Sequence, residues 1–267
     1  MNDPKRNSQG AATDVDAKRQ RVDIEVRGLH KSFGPNHVLR GVDLRVYRGE
    51  TFAIIGRSGC GKSVLLKHIM GLMQPDKGEV FVLNHGVHEL PQRGLLRLRR
   101  RIGMVFQLSA LLNSLTVREN VILGLAEQGK MSEEQMNEIA REKLALVGME
   151  DTEDLLPEKL SGGMKKRAAV ARTLATSPRI ILFDEPTAGL DPLMSDNVDE
   201  LILDLKEKVQ VTSVMVTHDM ISAFRVADRI GMFHQGTIVE VGTPEEIRSS
   251  ENPVVQEFID RQLNWRN

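Results

Sequence analysis

The sequence predicts an α/β fold built on a parallel sheet, and three observations predict it. An apolar run at 52–55 leads through a glycine-rich loop into a helical pattern, and a second apolar run at 180–183 ends in two carboxylates. Strand-like runs then alternate with helical ones along most of the chain. A strand apolar at every position is buried on both faces, which is the usual situation of a parallel sheet covered by other layers. With 267 residues and 40% hydrophobic content, the chain can bury a sizeable core and is not disordered as a whole.

Taken in order, the first 21 residues contain no Leu, Ile or Phe, so they offer no apolar segment for a secretory signal and read as a flexible, solvated tail. From there Val22, Ile24 and Val26 alternate with Asp23, Glu25 and Arg27, which predicts a half-buried strand with the charges outward. A second alternation, Val42, Leu44 and Val46, runs through Arg48-Gly49-Glu50 into the apolar stretch 52–55 and predicts a hairpin followed by a buried strand. After the glycine-rich loop, Leu65, Leu66, Ile69, Met70 and Leu72 recur at helical spacing. Further strands are predicted at 79–83, 102–106, 180–183 and 213–217. Between them, 108–178 has helix-forming composition, an apolar set at Ile139, Leu144, Leu146 and Val147, and a Ser132-x-x-Gln135 capping box, so it is a mostly helical insertion. Beyond Arg229 a hairpin at Gln235-Gly236 precedes two helices, one from Pro244 and one from Pro253 to about Trp265. The chain thus divides into a tail (1–21), a core with a β-rich N-terminal part (22–107 and 179–242), an α-helical subdomain (108–178) and a C-terminal helical extension (243–267).

Composition excludes several classes. Lys and Arg number 36 against 37 Asp and Glu, a formal net charge of -1, so no global basic field argues for a nucleic-acid partner. The single cysteine, Cys60, permits no internal disulfide and no multi-cysteine zinc site, which fits a reducing compartment. The longest apolar runs fall far short of the roughly 18–20 residues a membrane-spanning helix needs.

The chemistry concentrates in a few motifs. Gly56-Arg57-Ser58-Gly59-Cys60-Gly61-Lys62-Ser63 matches the phosphate-loop pattern in full and sits after a strand and before a helix, where that mechanism requires it. Its glycines let backbone N–H groups turn onto phosphate oxygens, the helix N-terminus adds positive potential, Lys62 reaches the β and γ phosphates, and Ser63 is placed to ligate Mg2+. At the end of the run 180–183, Asp184 is placed to hold Mg2+ at a strand's carboxyl end. Adjacent strand residues point to opposite faces, so Glu185 is free to orient the attacking water. Ser161-Gly162-Gly163 opens a further helix and offers N–H groups and a hydroxyl to a second anion. By contrast, His85-x-x-His88 lacks further ligands and reads as a surface loop, the arginines from Arg93 to Arg101 interleaved with Leu95, Leu96 and Leu98 read as an amphipathic helix, and Cys60 reads as a tolerated small residue.

Leu160-Ser161-Gly162-Gly163-Met164 resembles the signature motif of the ABC-transporter ATPases, and it precedes the carboxylate-tipped run 180–185 as in that family. The resemblance extends over nearly all of 22–242: Gln107 resembles the Q-loop residue, Ala188-Gly189-Leu190-Asp191 the D-loop and His218 the H-loop. It implies a P-loop NTPase (RecA-like) ABC ATPase fold that binds ATP and Mg2+ and works as a nucleotide sandwich between two copies of the chain. In that reading Lys62, Gln107, Glu185 and His218 are catalytic, and Ser63, Gln107 and Asp184 surround the metal. The nucleotide would lie against Gly56, Arg57, Ser58, Gly59, Cys60, Gly61, Lys62, Ser63 and Val64, with Phe33, 29 positions before Lys62, stacking on the base. Ser161, Gly162, Gly163 and Asp191 would reach the nucleotide held by the other subunit.

Within the family, Met164, the phrase Phe106-Gln107-Leu108-Ser109-Ala110-Leu111-Leu112 and the ending Asn252-Pro253-Val254-Val255-Gln256-Glu257-Phe258 resemble the ATP-binding subunit of bacterial Mla-type (toluene-tolerance) systems, which move phospholipids between inner and outer membranes. The ending departs from that pattern after Asp260, where 261–267 replaces the longer tail of some relatives. The resemblance implies a peripheral protein at the cytoplasmic face of the inner membrane, with integral membrane permease subunits and lipid-binding accessory proteins as partners. The alternatives are an ABC ATPase for another solute, which would share every catalytic residue, and a soluble ABC ATPase acting on nucleic acid or ribosomes. The chain has neither the second ATPase unit nor the long coiled-coil insertion typical of the latter.

Overall fold

The alternation that starts at Val22 runs on as a strand of 12 residues, β1 (Val22–Phe33), which turns back into β2 (Asn36–Tyr47). With β4 (Lys77–Val82) and the short β5 (His85–Gly86) they form an antiparallel sheet ordered β2-β1-β4-β5. This computed structural model describes residues 21–263; the tail at 1–20 and the expected end of the last helix at Trp265 lie outside the described residues.

The second sheet is six-stranded, with β6 (Ile102–Val105), β7 (Ile180–Asp184), β8 (Thr212–Thr217) and β9 (Arg229–His234) joining β3 (Thr51–Ile55) in parallel, and β10 (Thr237–Gly242) closing one edge antiparallel. The helices are α1 (Lys62–Ile69), α2 (Gln92–Arg99), α3 (Val117–Ala126), α4 (Glu133–Leu146), α5 (Gly162–Ala175), α6 (Pro192–Val209), α7 (Met220–Val226), α8 (Pro244–Arg248) and α9 (Pro253–Leu263). The predicted capping box forms at Ser132 and Gln135, and Gln235-Gly236 turns β9 into β10.

β3 explains its own sequence. Phe52 and Ile54 pack into a core shared with the antiparallel sheet and α1, while Ala53 and Ile55 face a core shared with α3, α5, α6 and α7. Each fully buried large side chain contributes about 1.5–3 kcal/mol, so a polar residue at these positions is not tolerated on either face.

Two expectations need correction. The segment after β2 does not fold back as a hairpin: β2 pairs with β1, and the Arg48-Gly49-Glu50 turn carries the chain into the other sheet, where β3 pairs with β8 and β9. Nor does Asp23 face solvent; a register shift between Val22 and Ile24 buries it, where it accepts a 2.8 Å bond from the Thr212 hydroxyl and lies 3.5 Å from Arg48 Nε. Alternation alone does not reveal such a bulge.

The order β3-β8-β7 and the register, Ile55 opposite Thr217 and Asp184 opposite Val216, bring three strand ends to one level. The glycine-rich loop, the Asp184-Glu185 pair and His218 leave the sheet there side by side.

Candidate functional site

The loop 56–61 wraps under the start of α1 because two of its glycines admit no side chain. A Cβ on Gly56 would sit 2.5 Å from the Phe233 carbonyl oxygen, and Gly61 has φ of 117° with β2's Val38 packed against it. Lys62, only 5% exposed, donates to the Gly56 and Arg57 carbonyls at 2.8 and 3.2 Å and lies 3.3 Å from Glu185 Oε1. Ser63 Oγ donates to Asp184 Oδ1 at 2.8 Å. Two hard oxygen donors side by side at the mouth of the loop are a set suited to Mg2+, which takes one or two protein oxygens and completes its shell with phosphate and water.

Asp184 and Glu185 part company for a reason other than strand alternation. β7 ends at Asp184, and Glu185 adopts a left-handed backbone with φ of 51°, its N–H donating to the Val216 carbonyl at 2.9 Å. For a non-glycine residue this conformation costs about 1–3 kcal/mol, and such outliers cluster at functional sites. The turn aims the carboxylate at His218, whose backbone N–H and Nδ1 lie 3.1 and 2.8 Å from Oε2. Lys62, Ser63, Asp184, Glu185 and His218 therefore form one contiguous polar cluster.

The other expected residues sit around it. Phe33 is exposed at the tip of the β1–β2 hairpin, whose second strand packs on Gly61 through Val38. Arg57 reaches Glu257 on α9 at 3.1 Å, and Ser58 and Gly59 are exposed in the loop. Cys60 is half-buried; burial pushes its thiol up, against the pull of Lys62, so it is a poor thiolate. Val64 lies in the first turn of α1, packed against the core. Ser161 caps α5, accepting from Met164 N–H at 3.2 Å, and Asp191 caps α6, accepting from Met194 N–H at 3.0 Å. Gly162 and Gly163 bring the two segments together, since a Cβ on either would lie 3.3 Å from Leu190 or 2.9 Å from Met194. A cavity of about 170 Å3 lies between the Thr187–Leu190 turn and His218.

Gln107 is exposed, and its loop is held by residues outside the sequence motifs. Lys166, buried on α5, donates to the Gln107 carbonyl, and Arg172 on the same helix donates to the Ser109 and Ala110 carbonyls at 2.8 and 2.6 Å. Burial holds both cations below their ordinary pKa, with Asp184 and Glu185 pulling Lys166 back up. Buried Asn120 bonds both the N–H and C=O of Leu112. The sequence signal for Lys166 and Arg172 is the set of cations, Arg167 among them, on either side of the small apolar run Ala168-Ala169-Val170-Ala171. The loop so pinned presents Phe106, Leu108 and Leu112 to solvent, Leu108 at 89% exposure.

His88 departs from its expectation. It is half-buried with its Nε2 unbonded, its ring 6.2 Å from that of fully buried His68, whose Nε2 is also unbonded. Helix α2 carries the arginines as expected, with Leu98 buried and Arg99 bonded to the Met70 and Gly71 carbonyls.

Residues 39–188 match the family model described as ABC transporter. The chain is 41% identical over 261 residues to Protein TRIGALACTOSYLDIACYLGLYCEROL 3, chloroplastic, of Arabidopsis thaliana, covering 90% of this chain and 74% of that protein. It is 38% identical over 239 residues to the Probable ribonucleotide transport ATP-binding protein mkl of Mycobacterium tuberculosis (90% and 67% covered), and 39% over 241 to the L-cystine import ATP-binding protein TcyN of Bacillus subtilis (89% and 93%). Among solved structures it resembles cbiO1 of Clostridium perfringens, part of the transporter complex cbiONQ, with TM-score 0.80, 28% identity, and 92% of this chain and 97% of that one covered. It also resembles the dimeric ATP-binding cassette MJ0796 bound to ADP and Pi, with TM-score 0.75, 35% identity, and 83% and 98% covered.

Proposed function

The chain belongs to the ABC transporter family of ATPases, and we propose that it is the motor subunit of a phospholipid transporter, working as a homodimer beneath integral membrane permease subunits. That it hydrolyses ATP follows from the family; the roles of individual residues are part of this reading. Among the described residues no helix is long and apolar enough to cross a membrane, so attachment would be borrowed from the permease, at the cytoplasmic face of the inner membrane.

In this reading 22–107 and 179–242 form the nucleotide-binding core, 108–178 the helical signature subdomain and 243–267 a C-terminal extension. The loop 56–61 and the start of α1, with Lys62, cradle the ATP phosphates, and Phe33 meets the base. Ser63, Asp184 and Gln107 hold Mg2+, which screens phosphate charge when bound. Glu185, fixed by His218, takes the proton from the attacking water. Phosphate contacts supplied by Ser161, Gly162 and Gly163, with Asp191 beside them, come from the second copy. The exposed helix end at Ser161 supports this, as does the dimeric state of the similar cassette.

The observation that carries the transporter reading is the apolar shelf of Phe106, Leu108 and Leu112 around Gln107, held rigid by Lys166, Arg172 and Asn120. Exposed apolar surface on a pinned loop suits a short helix from a membrane partner. The phospholipid cargo rests on the motifs at 106–112 and 252–258 and on similarity to a relative named for a diacylglycerol lipid. Lipid-binding accessory proteins would then complete the complex. Purifying the tagged chain in mild detergent and identifying copurifying membrane proteins and lipids by mass spectrometry tests this. A multi-spanning partner with bound phospholipid is expected. A complex stimulated by a water-soluble solute, with no lipid, would overturn the cargo while sparing the motor.

A further inference from the structure

A second cavity, of about 510 Å3, lies at the opposite ends of the strands from the phosphate loop, and among its described lining residues are Arg21, Arg48, Arg101, Arg179 and Asp23. Arg101 and Arg179 immediately precede β6 and β7, Arg21 precedes β1, and Arg48 follows β2. β7 separates this cavity from Asp184 by its whole length of five residues, roughly 15 Å at about 3.3 Å each.

Backbone hydrogen bonds fix where the four arginines leave the main chain. Arg48 N–H donates to the Arg21 carbonyl at 2.8 Å, Arg179 N–H to the Arg101 carbonyl at 2.9 Å, and Thr212 N–H to the Arg179 carbonyl at 3.2 Å. Five separate chain segments thus converge, and the convergence brings cations together. Among the described residues Asp23 is the one acidic side chain in ion contact with any of the four arginines, 3.5 Å from Arg48, and one of its oxygens already accepts from Thr212. Arg48 Nε is buried with no hydrogen-bond partner. Four guanidinium groups against one carboxylate leave an excess of three positive charges around a concavity whose volume is typical of small-ligand sites. Guanidinium forks pair bidentately with phosphate oxygens, and a bound polyanion would relieve the mutual repulsion.

We propose that this cavity binds a phosphate-bearing anion, at a site separate from that of the nucleotide. The chemistry is shared by a soluble phosphorylated metabolite and by a lipid headgroup, and the test has an arm for each. Pyrophosphate is titrated by calorimetry into the full chain saturated with Mg-ADP, so that the phosphate loop is already filled. Flotation with phosphatidylglycerol vesicles is measured in parallel. Each is repeated on Arg101→Ala/Arg179→Ala, which leaves the Asp23–Arg48 contact in place, with ATPase activity and thermal unfolding as controls for fold. If the double variant does not fold, Arg101→Gln and Arg179→Gln are read singly.

The expected result is one pyrophosphate per chain, weakened at least about 10-fold by the variant and progressively by salt, which identifies a soluble anion. Vesicle binding lost in the same variant, without pyrophosphate binding, identifies a headgroup. Absence of binding in both arms, or binding indifferent to the arginines, overturns the proposal.

Discussion

Replacing Glu185 with Gln is the sharpest probe of the polar cluster. The side chain is 12% exposed, accepts two contacts from His218 and faces Lys62 at 3.3 Å. Gln keeps an acceptor for His218, so the left-handed turn and the orientation are preserved, but it cannot take a proton from water. Loss of a positioned general base typically lowers rates about 10²–10⁴-fold, or about 3–5 kcal/mol of barrier. Lys62 retains its bonds to the Gly56 and Arg57 carbonyls, so nucleotide affinity is expected to stay within a few-fold of wild type. Phosphate release under single-turnover conditions measures the chemical step, equilibrium binding of a fluorescent ATP analogue measures affinity, and size-exclusion with Mg-ATP measures the dimer. Slow turnover, intact binding and an accumulated ATP-bound dimer are expected. Turnover within about tenfold of wild type, with only monomer in Mg-ATP, would refute the assignment of Glu185 as base.

Ser161→Arg is expected to abolish hydrolysis while leaving nucleotide binding to the isolated chain unchanged, and a heterodimer with Lys62→Ala to keep one intact composite site. Activity of that mixture no greater than that of two inactive homodimers would count against sharing between chains, unless both sites must fire together. Burial pushes the carboxyl of Asp199 up to about 6, so the folded chain holds a proton the unfolded chain has lost, and this contribution to stability disappears as pH rises through about 6. Asp199→Asn, which keeps an acceptor for the Ser222 hydroxyl, is expected to stabilise the protein above pH 6 by up to about 3 kcal/mol, read from denaturant midpoints. Burial holds His68 and His88 below their ordinary 6.5, and His68 further depresses His88, so the unfolded chain binds more protons and stability falls as pH drops through 6.5. His88→Leu is expected to flatten that slope between pH 5 and 7, and an unchanged slope would place the titration elsewhere.

What the sequence made legible was whatever rests on local chemistry. A glycine-rich loop between an apolar strand and a helix has few alternative uses, and β3 and β7 emerge as read because burial on both faces demands continuous apolar residues. What stayed hidden depends on contacts between distant segments. The crossing from β2 to β3 is invisible because a short turn looks the same whether its strands pair or part. Asp23 and His88 are polar residues in polar-looking stretches, and only tertiary contacts with Thr212 and His68 bury them. Lys166 and Arg172 stand beside an apolar run on their helix, yet nothing local announces that their partners are the carbonyls of a loop about 60 positions away.

Those two cations also bear on how the site and a partner could communicate. A buried cation that loses its carbonyl partners is left unpaired at a cost of about 1–3 kcal/mol or more, so residues 107–110 and α5 are held to move together. α5 is capped at its start by Ser161, the residue proposed to face the other copy's nucleotide, and the loop ends in the apolar shelf proposed to face the permease. A partner that favours one position of Leu108 therefore also favours one position of Ser161, and reciprocity requires nucleotide binding to bias the partner by the same free energy. The rigid link is short, running from the Gln107 carbonyl through Lys166 to the start of its helix, and it needs no further relay through the core.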